Sequence, residues 1–60
     1  MPAENINLLI VEDESIVALN LSMGLEKEGY TVIGIADNAA DALQLFTTNE
    51  VDIVLMDINI

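Results

Sequence analysis

The sequence has no cysteine, no histidine, one proline, one tyrosine, one phenylalanine and a single basic side chain, Lys27. Without cysteine there is neither a disulfide framework nor a thiolate metal site, a composition that fits a reducing compartment. With one cation in the chain, nothing is available to neutralise a phosphate backbone, so direct nucleic-acid binding by these residues is not expected. Long apolar runs are missing as well. The longest, LLIV and IVLM, fall far short of the ~20 residues that span a bilayer, and the opening MPAENINLLI lacks a basic signal region. The expectation is a soluble, cytoplasmic chain with no membrane partner.

What the sequence does have is aliphatic residues and acid. Hydrophobic residues make up 53% of the 60 positions, and eleven Asp and Glu leave a formal net charge of -10. That hydrophobic content is of a kind that builds a core and not of a kind that stays disordered. At this length only one small domain is possible, and folding would bury about 60% of the surface the unfolded chain exposes.

The apolar pattern alternates between two periods. Ile6 to Val11 (INLLIV) is a nearly continuous aliphatic run, as in a parallel strand covered on both faces, and Glu12, Asp13 and Glu14 end it. From Ser15 to Glu28 the spacing is helical. Val17, Ala18, Leu21, Gly24 and Leu25 share one face expected to lie on a sheet, Ile16, Leu19 and Met23 form a second apolar stripe, and Gly29 supplies the stop. Tyr30 to Ala36 (YTVIGIA) is β-branched and reads as a second strand, with Gly34 a weak point inside it. Asn38, with Asp41 three residues on, opens a second helix in the manner of a loose capping box. Its Ala42, Leu43 and Phe46 are expected to face inward, and Thr47, Thr48 and Asn49 to let it fray. Asp52 to Met56 (DIVLM) makes a third strand. The expected fold is α/β: a partial flavodoxin-like, doubly wound β-α-β-α-β unit with right-handed crossovers and parallel strand order 2-1-3.

That order has a chemical consequence. In doubly wound sheets the ligand crevice lies outside the carboxyl ends of the strands where the winding reverses, here strands 1 and 3. Asp13 and Asp57 follow those two ends. Neighbouring strands are about 4.8 Å apart, so Glu12, Asp13 and Asp57 crowd one crevice, which is unfavourable unless a cation or a proton relieves it. Mg2+, a hard oxygen-seeking ion content with one or two carboxylates, waters and a phosphate oxygen, suits it best. With the ion in place an anionic phosphoryl group can approach Asp57, whose carboxylate attacks phosphorus without a general base, giving an aspartyl phosphate. Taken singly the acids have plainer explanations: Asp57 as a strand-end residue, Glu12 and Asp13 as acids favoured at a helix N-terminus. Glu14, Ser15, Asp37 and Asn38 are assigned to capping, Asp41 to a solvated helix position, and Glu4, Glu26, Glu28 and Glu50 to the surface.

LLIVEDE, GYTVIGIADNAADAL and VDIVLMDINI together resemble the amino-terminal half of the receiver domain of two-component response regulators, over nearly the whole chain from Asn5 to Ile60. The resemblance implies a signalling module, not an enzyme in its own right, that accepts a phosphoryl group from a sensor histidine kinase or a phosphotransfer protein. Asp57 takes the place of the phosphoacceptor. Glu12 and Asp13 take that of the metal-binding acidic pair, with Glu12 an accepted variant that acts through water, and the backbone carbonyl of Asn59 takes that of the third protein ligand. On this reading residues 1–60 are the amino-terminal half of the domain, cut in the loop after strand 3.

The Ser or Thr that the family carries after its fourth strand, and the Lys after its fifth, do not lie within these residues. Weak phosphorylation of the isolated chain is therefore expected. A bare third strand and the second stripe of the first helix point to self-association. Two other readings stand beside this one. A haloacid-dehalogenase-like phosphatase also places a nucleophilic Asp after a hydrophobic strand, but it wants a second Asp where Asn59 stands and gives the upstream acids no role. A non-catalytic half-fold would serve pairing alone.

Overall fold

Asn7 and the four aliphatic residues that follow it form β1 (Asn7–Val11), the centre of the sheet. In the computed structural model, which describes residues 6–56, β1 is followed by α1 (Ser15–Lys27), β2 (Thr31–Ala36), α2 (Ala39–Thr48) and β3 (Ile53–Met56). The three strands form one parallel sheet in the order β2-β1-β3, as the sequence pattern predicts, with expected and observed element ends agreeing to within two residues. Only the central strand is fully enclosed: Leu8, Leu9 and Ile10 are buried. This is why its sequence shows no polar alternation.

Side-chain alternation along β1 divides the core. Leu9 packs with Ala36 and Ala42 beneath α2, joined by the partly buried Val11, Ile33, Leu45 and Val51. Leu8 and Ile10 point the other way, towards α1, where Ala18 is the buried residue. The two sets stay in phase with β2 through a bulge. Leu8 pairs with Val32 but Leu9 pairs with Gly34, leaving Ile33 as the extra residue. Without that insertion every β2 side chain beyond it would sit on the wrong face. Gly34 has a packing role at this point, since a Cβ there would lie 3.0 Å from Leu45 Cδ1.

The connections are closed by specific hydrogen bonds. At the end of α1, Gly29 adopts φ 102°, its N–H donates to the Glu26 carbonyl at 3.1 Å, and the Tyr30 N–H donates to the Leu25 carbonyl at 3.1 Å. This pair of bonds is the Schellman arrangement, which needs a left-handed residue where glycine carries no penalty. At the start of α2, Asn38 Oδ1 accepts the Asp41 N–H at 2.8 Å, and the Asn38 amide donates to the carboxylates of Asp41 and Asp37. Asn38 is thus the helix cap that the sequence indicates. At the amino end of the sheet, the Asn7 N–H donates to the Asp52 carboxylate at 2.8 Å, and the Asp52 N–H donates back to the Asn7 carbonyl at 2.9 Å. These bonds fix where β3 begins alongside β1.

Several sequence-based expectations need correction. Leu43 is 64% exposed and Phe46 is also exposed, while Leu45 turns to the core. The inner face of α2 is centred on Ala42 and Leu45 because the bulge at Gly34 makes room for Leu45, rotating Leu43 and Phe46 to the margin. The carboxyl end of α2 is tied and not frayed. Thr47 and Thr48 hydroxyls both donate to the Gln44 carbonyl, and the Asn49 amide donates to that of Leu45. On α1, Ala18 and Leu25 meet the sheet, but Val17 and Leu21 are only partly covered and nothing lies within 4 Å of a Cβ built on Gly24. α1 packs over β1 and β2 and leaves its β3 side open. Glu14 holds the cap position of α1, yet its side chain makes no capping bond. Ile16, Leu19 and Met23 are exposed, as the two-striped pattern of α1 suggests, and so are all four residues of β3. Among the described residues no helix is long and apolar enough to cross a membrane.

Two substitutions test these local accounts. Gly29→Ala forces a side chain into the left-handed region and should cost about 1–2 kcal/mol. Asn38→Ala removes the α2 cap and should cost about 1 kcal/mol. In urea unfolding each should lower the midpoint and leave the slope unchanged.

Candidate functional site

The acidic segment sits where β1 gives way to α1. Val11, the last residue of β1, pairs with Ala36 on one side and Met56 on the other, so the carboxyl ends of all three strands emerge together. The Glu12 N–H extends the ladder by one bond, donating to the Ala36 carbonyl at 2.9 Å. The Glu12 side chain is 4% exposed, and its Oε2 accepts the Glu14 N–H at 3.0 Å. Glu14 in turn accepts the first helical bond of α1 from the Ala18 N–H at 2.9 Å. Asp13 lies at the bend between them with its side chain exposed. A buried carboxylate is costly unless hydrogen bonded, and the amide at the head of a helix is a favourable partner for it.

The two acids of the pair therefore occupy different surroundings. Glu12 borders a recess with Ser15, Leu19, Ile35, Asp37 and Asp41, on the β2 side of β1. On the β3 side, a second and apolar recess is lined by Val11, Leu21, Leu55 and Met56. Asp57 and Asn59, which the sequence singles out together with Glu12 and Asp13, lie outside the described residues. Among the described residues no three acidic side chains are gathered as a metal-binding group.

Residues 8–60 match the response regulator receiver domain. The chain belongs to that family. Its relatives include the transcriptional regulatory protein PdtaR of Mycobacterium tuberculosis, 35% identical over 51 residues that make up 85% of this chain and 25% of that protein. Another is the transcriptional regulatory protein YvrH of Bacillus subtilis, 38% identical over 55 residues, 92% of this chain and 23% of that protein. The chain spans about a quarter of the length of the curated relatives it matches first. No solved structure matches it significantly. The phosphatase reading is not favoured by these comparisons.

In this receiver chain the order β2-β1-β3 is the element of the fold that matters for the site, since it sets the carboxyl end of β1 between those of β2 and β3. Sequence reasoning missed two features of the acidic end. It did not foresee the bond from Glu12 to the Glu14 amide, nor that Asp37 and Asp41 share a recess with Glu12. The second was legible in principle, because an order of 2-1-3 also places the end of strand 2 next to the end of strand 1.

Proposed function

We propose that this receiver chain accepts a phosphoryl group on Asp57 from a sensor histidine kinase or phosphotransfer protein, as the amino-terminal half of the domain. The observation that supports the reading is the parallel register of β1 and β3, Val11 opposite Met56, the residues that precede Glu12-Asp13 and Asp57 in the sequence. In the transfer a carboxylate oxygen of Asp57 forms the new O–P bond as the P–N bond to the donor imidazole breaks. The electron pair stays on the imidazole nitrogen, which takes up a proton.

Mg2+ fits the residues at hand. Asp13, Asp57, Glu12 and the backbone carbonyl of Asn59 are hard oxygen donors of the kind the ion takes, and Asp13 stands exposed at the crevice end of the sheet. When bound, the ion supplies charge neutralisation for the incoming phosphoryl oxygens. Asp13 and Asp57 would hold it directly.

The sole cation of the chain cannot assist. α1 begins at the carboxyl end of β1 and runs back along the sheet, so Lys27 in its last turn stands at the end remote from the crevice. Phosphoryl transfer to the 60-residue chain alone should accordingly be inefficient. With a small-molecule phosphodonor and Mg2+, intact mass should show a minor fraction carrying one phosphate, and none after Asp57→Asn. Phosphate that persists in Asp57→Asn would refute the assignment, and conversion of most of the chain would refute the weakness of the isolated half.

Copies of the chain are also proposed to associate through the exposed β3 edge and the apolar face of α1. Unpaired edge strands template pairing, while the charge of -10 opposes it at low ionic strength. Light scattering should show association rising with added salt. A monomer at every salt concentration would exclude it.

A further inference from the structure

We infer that the recess on the β2 side of the molecule docks a segment of a partner protein in which arginine alternates with aliphatic residues. The recess, about 460 Å3 in volume, lies between the head of α1, the carboxyl end of β2 and the head of α2. Its wall is of two kinds. Leu19 and Ile35 are apolar yet 56% and 41% exposed, while Asp37 and Asp41 are exposed acids. Uncovered aliphatic side chains bordered by charged ones are the surface that protein partners settle on, with an apolar centre and a polar rim. The two acids are also held together. The Asn38 amide donates to Asp37 Oδ1 at 2.6 Å and to Asp41 Oδ2 at 3.0 Å, so one cationic group can meet both carboxylates.

Charge selects the occupant. A second copy of the chain brings a formal net charge of -10 with a single basic side chain, so it is a poor match for this wall, and nucleic acid is repelled by it. The chain cannot cover the recess with its own cation either, because Lys27 stands in the last turn of α1, at the other end of the helix from Ser15. A cationic protein segment remains. Arginine suits the wall because its planar fork bridges neighbouring carboxylates while its aliphatic stem lies along apolar surface. Its aliphatic neighbours in the segment then cover Leu19 and Ile35. These two residues, Asp37 and Asp41 have no part in the proposed phosphoryl transfer, so the docking stands or falls independently of it.

The test follows the amide resonances of the full, isotope-labelled chain during titration with a short capped peptide of alternating leucine and arginine. The amides of Ser15, Leu19, Ile35, Asp37 and Asp41 should shift together and saturate. Asp37→Asn and Asp41→Asn, which leave the Asn38 cap of α2 in place, should each weaken binding about fivefold, the upper worth of an exposed ion pair. Glu50→Gln removes the same charge at the amino end of the sheet, where the Glu50 carbonyl meets Asn7, and should leave binding within about twofold. Leu19→Gln, or serine in place of leucine in the peptide, should weaken it about tenfold. Absence of saturable shifts at the recess overturns the inference. So does equal binding of the serine and arginine peptide, which means diffuse charge neutralisation only, or of a leucine and glutamate peptide, which means apolar contact only. Glu50→Gln matching the two aspartate variants overturns it as well, and so do shifts of the same amides with chain concentration alone, which make a second copy the occupant. Should an aspartate variant fail to fold, Leu19→Gln and the three peptides decide.

Discussion

The parallel pairing of β1 with a neighbour on each side is the constraint on which the rest depends. A strand in that position must be apolar on both faces, and Leu8, Leu9 and Ile10 meet the requirement with almost no exposed surface. It must also release its chain at the same end as its neighbours. Acidic residues placed after β1 and β2 then gather at one end of the sheet, however far apart they stand in the sequence. The bulge at Ile33 serves the same constraint. It keeps Leu9 opposite Gly34 and Ile10 opposite Ile35, so that one face of the sheet fits α2 and the other fits α1.

A β-α-β-α-β unit with this little enclosed core among its described residues depends heavily on how its connections end. Among the described residues the buried hydrophobic ones are few: Leu8, Leu9, Ile10, Ala18, Ala36 and Ala42. Around them the chain spends directional bonds. The Schellman bonds at Gly29, the Asn38 cap, the Asn7 and Asp52 pair and the threonine hydroxyls on the Gln44 carbonyl each settle one boundary. Individual bonds of this type contribute about 1 kcal/mol, a large share of the stability open to a chain of this size. Glu12 belongs with them. Its carboxylate is buried at the one junction where a strand end, a helix start and the acidic site coincide, so the bond that offsets its desolvation also shapes the turn.

Much of this was legible in the sequence because the relevant signals are local. Two aliphatic runs, two helical periods and their stop residues are enough to give the element order, and right-handed crossovers then give the strand order. Asn38 was legible as a cap from its spacing to Asp41. The failures are tertiary in origin. Periodicity alone puts Leu43 and Phe46 on the inner arc of α2, but the face that packs is chosen by the space above Gly34, which Leu45 fills. The bulge leaves no mark in a strand that already contains a glycine. Composition marks Thr47 to Asn49 as a weak helix end, yet the same side chains supply the bonds that hold it. For the acidic pair, the letters give two neighbouring carboxylates, and only the turn reveals that one is buried against α1 while the other is exposed.

The direction of the helices sets the electrostatics of the acidic end. Both crossovers start where a strand finishes, so the N-termini of α1 and α2 lie at the same end of the sheet as Glu12, Asp13, Asp37 and Asp41. Each helix N-terminus contributes the equivalent of about half a positive charge, confined to its first turn. Two such ends can offset about one carboxylate, against five among the described residues once Glu14 at the head of α1 is included. The single basic side chain, Lys27, is carried by the same geometry to the opposite end of α1. A βαβ unit with this charge pattern cannot neutralise its own carboxyl end from within. The remaining negative charge must be met from outside, by protons, by metal ions or by a cationic surface, and that end of the sheet is where the chain must find its counterion.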